Sequence, residues 1–232
     1  MLTLLTYPAG FGQFSLSPFC VKAAYLLQMS GLPWQRQDLK DPRKMPHQKL
    51  PVLKTDQRLI GDSENIRTWL ESQGAGFDTG LSNTQKAWSR ALIRMAEDSL
   101  YFHIVVDRWV NDDVWPTIRD IYFDEMPGLL RKPIANGLRK TLLKGLNAQG
   151  VTRFSQTERA ARLETDLLAL RAILAQSPFL FGDQPSAADL SVAPMLAAMR
   201  ATPVRTALVT RLANDSVLSQ YIDRMTETIP LP

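Results

Sequence analysis

The chain has 232 residues, 45% hydrophobic and 22% charged, a balance that excludes a disordered polar chain and allows one large domain or two small ones around a sizeable core. Twenty-seven Lys and Arg against twenty-three Asp and Glu leave a formal charge of +4; the basic residues are scattered, which reads as a solvated surface and not as a nucleic-acid footprint. The single cysteine, Cys20, excludes an intramolecular disulfide and a cysteine-built metal site. No run is long enough to span a bilayer, and Met1–Tyr7 lacks the basic start of a signal peptide, so the expectation is a cytoplasmic protein with no membrane partner.

In chain order, Leu2–Tyr7 is β-compatible and stops at Pro8. A loop with Gly10 and Gly12 follows, and Ser17-Pro18 then opens an apolar helix through Leu27, with serine at the N-cap and proline at the first helical position. Trp34–Leu39 reads as a second strand. Val52–Thr55 and Arg58–Ile60, around Asp56-Gln57, read as a hairpin. Asp62-Ser63 caps a helix running to about Ser72. This order describes a mixed α/β layer. The stretch Gln73–Asp78 has linker composition, which places a boundary there. Beyond Ser82 the pattern turns helical: Ala87, Ala91, Met95 and Leu100 begin one periodic run, and Leu163, Leu167, Leu170 and Leu174 form a clean stripe. Pro116, Pro127 and Pro133 interrupt the middle. Ser186 and Asp189 form a capping box, read as structural.

Three features stand in register: Ser17-Pro18-Phe19-Cys20 opening a helix, Lys49-Leu50-Pro51-Val52-Leu53 entering a hairpin, and Asp62-Ser63-Glu64-Asn65-Ile66 opening the next helix. Together they resemble the amino-terminal domain of glutathione transferases. Phe179–Asp189 is similar to the turn and capping box late in that family's helical domain, so the resemblance spans nearly the whole chain. It implies an α/β thioredoxin-like domain over 1–74 followed by an all-α domain over 82–232. It also implies a cis peptide at Leu50–Pro51, with the Leu50 N–H and C=O pairing with glutathione as a short added strand; a trans proline starting an edge strand is the local alternative. Asp62 would meet the ammonium and Ser63 the carboxylate of the γ-glutamyl end, at a helix N-terminus suited to anions, unless the pair merely caps. Lys49 would meet the glycyl carboxylate. Glutathione is then a cosubstrate, no metal is implied, the second reactant is a small apolar electrophile, and the protein is a homodimer.

The chemistry needs the glutathione sulfur as a thiolate. Lowering a thiol pKa from about 8.5 by two units takes about 2.7 kcal/mol; one hydrogen bond to a charged acceptor supplies roughly 1.5–3 kcal/mol and a helix N-terminus about 0.3–1 kcal/mol. Ser17 is the leading donor, its oxygen capping the helix while its proton points to sulfur. Tyr7 is a rival at the end of the first strand, separated from the helix by the Pro8–Leu16 loop. Cys20 is a second rival, in the later position of a C-x-x-C frame, and reads as a buried filler. His47 and His103 lack metal-ligand spacing. Phe11, Gly12 and Phe14, with Tyr101, Phe102 and Trp109, are candidates for the electrophile pocket. The S-P-F-C start followed by Val21-Lys22 also resembles the metaxin and failed-axon-connections branch. A non-catalytic glutathione transferase-like binding module, or a glutathione-dependent reductase or isomerase, therefore stands as the alternative to a conjugating enzyme.

Overall fold

A computed structural model describes residues 1–232. Four strands, β1 (Leu2–Thr6), β2 (Trp34–Asp38), β3 (Val52–Lys54) and β4 (Leu59–Gly61), form one sheet in the order β2-β1-β3-β4. β1 and β2 run parallel with Leu2 opposite Trp34, which requires a crossover. Helix α1 (Pro18–Ser30) provides it. β3 lies antiparallel to β1, and β4 to β3. Helix α2 (Ser63–Ser72) follows β4. This is the thioredoxin-like arrangement of a small mixed sheet with its helices.

The rest of the chain is helical: α3 (Asn83–Met95), a π-helical turn (Ala96–Leu100), α4 (Tyr101–Trp109), α5 (Trp115–Tyr122), α6 (Gly128–Gln149), α7 (Gln156–Leu174), α8 (Ala187–Arg200), α9 (Ala207–Ala213) and α10 (Ser216–Thr228). No helix is long and apolar enough to cross a membrane. The Leu163, Leu167, Leu170 and Leu174 stripe of α7 is buried as its period predicts. Two of the prolines mark helix starts, Pro116 in the first turn of α5 and Pro127 at the N-cap of α6, whereas α6 runs through Pro133. That proline sits early in the helix, where it removes one ladder bond without stopping propagation.

The helical run read from Ala87, Ala91, Met95 and Leu100 is present as α3 and the π-helical turn, but its buried face is not the alanine one. Ala87 and Ala91 face outward beside Trp88, which is 62% exposed, and the buried side of this run carries Ser89, Ile93, Ala96, Glu97 and Leu100. Small apolar residues at helical spacing are ambiguous in this way, because alanine favours helix on either face.

Helices α1 and α8 are apolar around almost their whole circumference, as helices enclosed on all sides must be. Every residue from Ala187 to Met199 is buried, and so is nearly every residue from Pro18 to Leu27. One cluster of 38 buried residues runs through both, from Leu4, Leu53 and Ile66 to Leu196, Tyr221 and Met225. The Gln73–Asp78 stretch is correspondingly fixed and not loose. Phe77 is buried, its carbonyl accepts the Ala187 N–H at 3.0 Å, and Asp78 binds Arg67 and the Ser89 hydroxyl.

Candidate functional site

The β1–α1 loop, Pro8 to Leu16, is folded back on itself. Gly10 and Gln13 exchange backbone hydrogen bonds of 3.3 and 2.9 Å, and the Leu16 N–H returns to the Pro8 carbonyl at 3.0 Å. The two residues between the paired positions, Phe11 and Gly12, have φ of 55° and 69°. Such a turn needs positive φ at both central positions; Gly12 takes it freely, while Phe11 holds it at a cost of order 1–3 kcal/mol. The loop's length therefore does not separate Tyr7 from the helix. The Ser15 hydroxyl donates to the Tyr7 carbonyl at 2.9 Å and accepts the Ser17 N–H at 3.3 Å, which brings the two rival donors to the same place.

Ser17 occupies the N-cap of α1 in extended geometry with Pro18 after it, but its side chain makes no capping hydrogen bond. The expectation that its oxygen caps the helix is thus corrected. The hydroxyl is not tied to the helix backbone; it lies by the Cys20 sulfur.

One turn on, Cys20 is wholly buried in a cluster with Leu5, Leu50 and Val52, against which Tyr7, Leu39 and Met45 pack. This cluster joins the start of α1 to the bend before β3. The Leu50–Pro51 peptide is cis. Neither the N–H nor the carbonyl of Leu50 bonds to another part of the chain, whereas the Pro51 carbonyl accepts the Asp62 N–H at 3.2 Å and so ties the bend to α2. Asp62 caps α2 from φ 79°, accepting the Glu64 N–H at 2.9 Å and the Asn65 N–H at 3.3 Å. Ser63, 2% exposed, has no capping duty and stands in the first turn of the helix. Lys49 is exposed beside the bend.

Burial pushes the Cys20 thiol up, although the Thr6 hydroxyl, the Tyr7 N–H and the Ser17 and Ser15 hydroxyls all favour its ionised form. Burial is also the largest influence on two phenols. Tyr7 is pushed up to about 12, with Cys20 and Tyr101 reinforcing, and Tyr101 to about 12, with Tyr122 reinforcing and the Arg108 charge opposing. Both phenols are therefore proton donors at neutral pH. Phe11 stacks on Tyr122 with ring centres 6.1 Å apart, Trp109 meets Tyr122 edge-on at 5.7 Å, and Tyr101 packs edge-on to Phe19 and Phe102. Phe14 turns away to Trp34 and the Arg36 guanidinium. Arg108 and Tyr122 belong to this wall and escaped the reading of the sequence; a charged residue on a helix normally marks the solvated face, and only tertiary packing reverses it.

His47 lies exposed in a 3₁₀ turn near β4, and His103 is half-buried on α4, its pKa lowered by burial. The cleft beside His103, lined also by Asp107, Arg159 and Thr206, does not include Ser17.

A glutathione S-transferase N-terminal domain model matches residues 18–114, and a glutathione S-transferase C-terminal domain model matches residues 153–224. The chain belongs to the glutathione S-transferase family. It is similar to the isoprene-epoxide–glutathione S-transferase of Rhodococcus sp. (strain AD45), 31% identical over 201 residues that cover 83% of this chain and 84% of that one. It is also similar to failed axon connections of Drosophila melanogaster, 30% identical over 186 residues, 76% of this chain but 44% of that one. Among solved structures, the glutathione transferase GSTFuA3 from Phanerochaete chrysosporium shares the fold with a TM-score of 0.63 at 18% identity, over 97% of this chain and 96% of that one. Residues 115–152 lie between the two matched segments.

Proposed function

We propose that the protein conjugates glutathione to a small apolar electrophile, with Ser17 donating the hydrogen bond that holds the sulfur as a thiolate. The single observation that carries this reading is the packing of Cys20, in the first turn of α1, against Leu50, whose N–H and carbonyl take no partner in the chain. A tripeptide lying along Leu50 as an added strand brings its cysteine to the start of α1, where a hydroxyl and a helix N-terminus both favour negative charge. Lys49, Leu50 and Pro51 then bind the glycyl and cysteinyl portion, and Asp62 and Ser63 the γ-glutamyl end. Holding both reactants together supplies the rest of the acceleration. Glutathione is the cosubstrate, and the reaction asks for no metal. The relative from Rhodococcus points to an epoxide as the first electrophile to try. Homodimerisation and a cytoplasmic site of action belong to the same reading; the outward Ala87, Trp88 and Ala91 face of α3 is one of the apolar surfaces open to a second subunit.

The test is calorimetric titration with glutathione, together with ultraviolet titration of the bound thiol in wild type and Ser17→Ala. The expected result is a bound thiol whose pKa lies about two units below the free value of about 8.5, with at least one unit restored by Ser17→Ala. A lowered value that survives Ser17→Ala moves the role to Tyr7 or to backbone donors. Binding with no lowering at all makes the chain a glutathione-binding module without turnover.

A further inference from the structure

Helix α6, Gly128–Gln149, carries five cations and no acidic residue. Two of the cations are already engaged. Arg139 donates to the Trp109 and Val110 carbonyls and to Asp112, and Arg131 donates to the Asp124 and Met126 carbonyls. The other three, Lys132, Lys140 and Lys144, are exposed and pair with no carboxylate. The acidic residues just before the helix are neutralised elsewhere, Asp120 by Arg119 and both Asp124 and Glu125 by Lys40.

The same helix exposes an apolar stripe. Leu130, Ile134 and Leu138 are 53%, 46% and 48% exposed, and Leu129 in the first turn is barer still. Residues four apart share one face of a helix, so three half-bare aliphatic side chains stand in line. Lys140 and Lys144 follow Leu130 and Ile134 by ten residues, which sets them about 80° round the helix. They lie beside the stripe and not opposite it. Only Ala135 and Leu146 of this helix are buried, so α6 stands proud of the body.

We propose that α6 is a docking helix that lies along the surface of an anionic bilayer. Its aliphatic stripe enters the acyl boundary, while the lysines reach sideways to the lipid headgroups. A second copy of this chain is a poorer occupant, because it brings three more unpaired lysines to the same line. An acidic protein groove is poorer too. Such a groove closes around its helix, and the inner side of α6 is held to the body by Ala135, by Arg139 and by the Asn136 bond to Trp115 at 3.0 Å. A bilayer asks for one open side only. That no run is long enough to span a bilayer says nothing against a helix lying along one. Ala135 packs in the cluster on which Phe11 and Tyr122 rest, so the docked helix adjoins the loop that leads to Ser17. Docking of this kind is independent of the chemistry at Ser17.

The experiment measures sedimentation of the full-length protein with vesicles of phosphatidylcholine alone and of phosphatidylcholine mixed with phosphatidylserine. The expected result is binding to the mixed vesicles only, weakening as salt is added. Lys132→Gln, Lys140→Gln and Lys144→Gln together lower that affinity about tenfold or more. Leu130→Ser, Ile134→Ser and Leu138→Ser together abolish it and leave Tm near its wild-type value, since all three side chains are already open to water. Ile134→Trp adds a fluorescence on the mixed vesicles that brominated lipid quenches, beyond any quenching of wild type. No binding to the mixed vesicles overturns the proposal. So does binding that survives the serine variants, which is charge attraction without insertion. Tighter binding to duplex DNA or to polyglutamate than to the mixed vesicles at the same salt overturns it too, as does a dimer that the serine variants dissociate.

Discussion

Cys20 is packed against Leu5, Leu50 and Val52, and burial pushes its thiol up against the pull of four nearby donors. A thiol that is both inaccessible and un-ionised is a poor nucleophile. Native protein should therefore take up no label from iodoacetamide at neutral pH over hours and react fully once unfolded in guanidinium; rapid labelling of the native state would return Cys20 to the list of reactive groups. The residues that were legible in the sequence at this scale were those with a local signature. Serine before proline marks a helix start, proline after leucine marks a bend, and Asp62 before an amphipathic run marks a cap. Even there the local rule overreached for Ser17, because capping preference describes where a hydroxyl is welcome and not where it bonds. Arg108 and Tyr122 carry no local signature. Their significance comes from what α4 and α5 meet in space.

Among the elements, the contact of α1 and α2 with the π-helical turn after α3 is the most heavily charged. Lys22 on α1 is fully buried and donates to Glu64 on α2 at 2.9 Å and to Glu97 in the π turn at 2.6 Å. Glu97 also accepts the Ser191 hydroxyl of α8 at 3.2 Å. A buried pair stabilises little overall, but removing one partner strands the other. Lys22→Ala should destabilise the protein by about 3–5 kcal/mol, and Lys22→Met, which keeps the packing volume, by less; urea unfolding of both variants checks the order. Burial alone would raise the Glu64 carboxyl, yet the charges of Lys22, Arg67 and Arg90 overcome it and hold the group below its usual range. A folded pKa below the unfolded one stabilises the protein at pH values above the unfolded value, about 4.3, and that contribution fades as pH falls through the folded value. Glu64→Gln should therefore flatten the acid limb of stability against pH, and a limb of unchanged steepness would count against this role. The sequence showed these elements as helices but hid the charge cluster, since lysine and glutamate on a helix read as its solvated side. The fourfold leucine spacing of α7 was legible because period alone determines burial there.

The composition change near residue 74 suggested two separate bodies, and the sheet and the helical array are indeed distinct in architecture. Their interior is nevertheless common property. The 38-residue cluster passes from the sheet through α1 to α8 without interruption. The Asp78 carboxylate takes hydrogen bonds from Arg67 on one side and from the Ser89 hydroxyl and the Ala187 N–H on the other. Helix α8 reaches this junction already fastened, since Asp189 accepts from the Leu180 N–H at 3.0 Å and the Tyr221 hydroxyl at 2.9 Å. Hydropathy along a sequence reports that a face will be covered but not by what, which is why the shared interior could not be read in advance.

A consequence follows for a polypeptide severed between Gly74 and Gly80. Because α1 has no free apolar side and the buried Lys22 has one of its two counter-ions, Glu97, beyond the cut, neither fragment is a finished globule. The pieces should remain associated after a single cut there and co-elute as one species until denaturant is added, while either expressed by itself should be insoluble. Fragments that dissolve and stay apart would mean that the seam is an ordinary surface contact and not part of the interior.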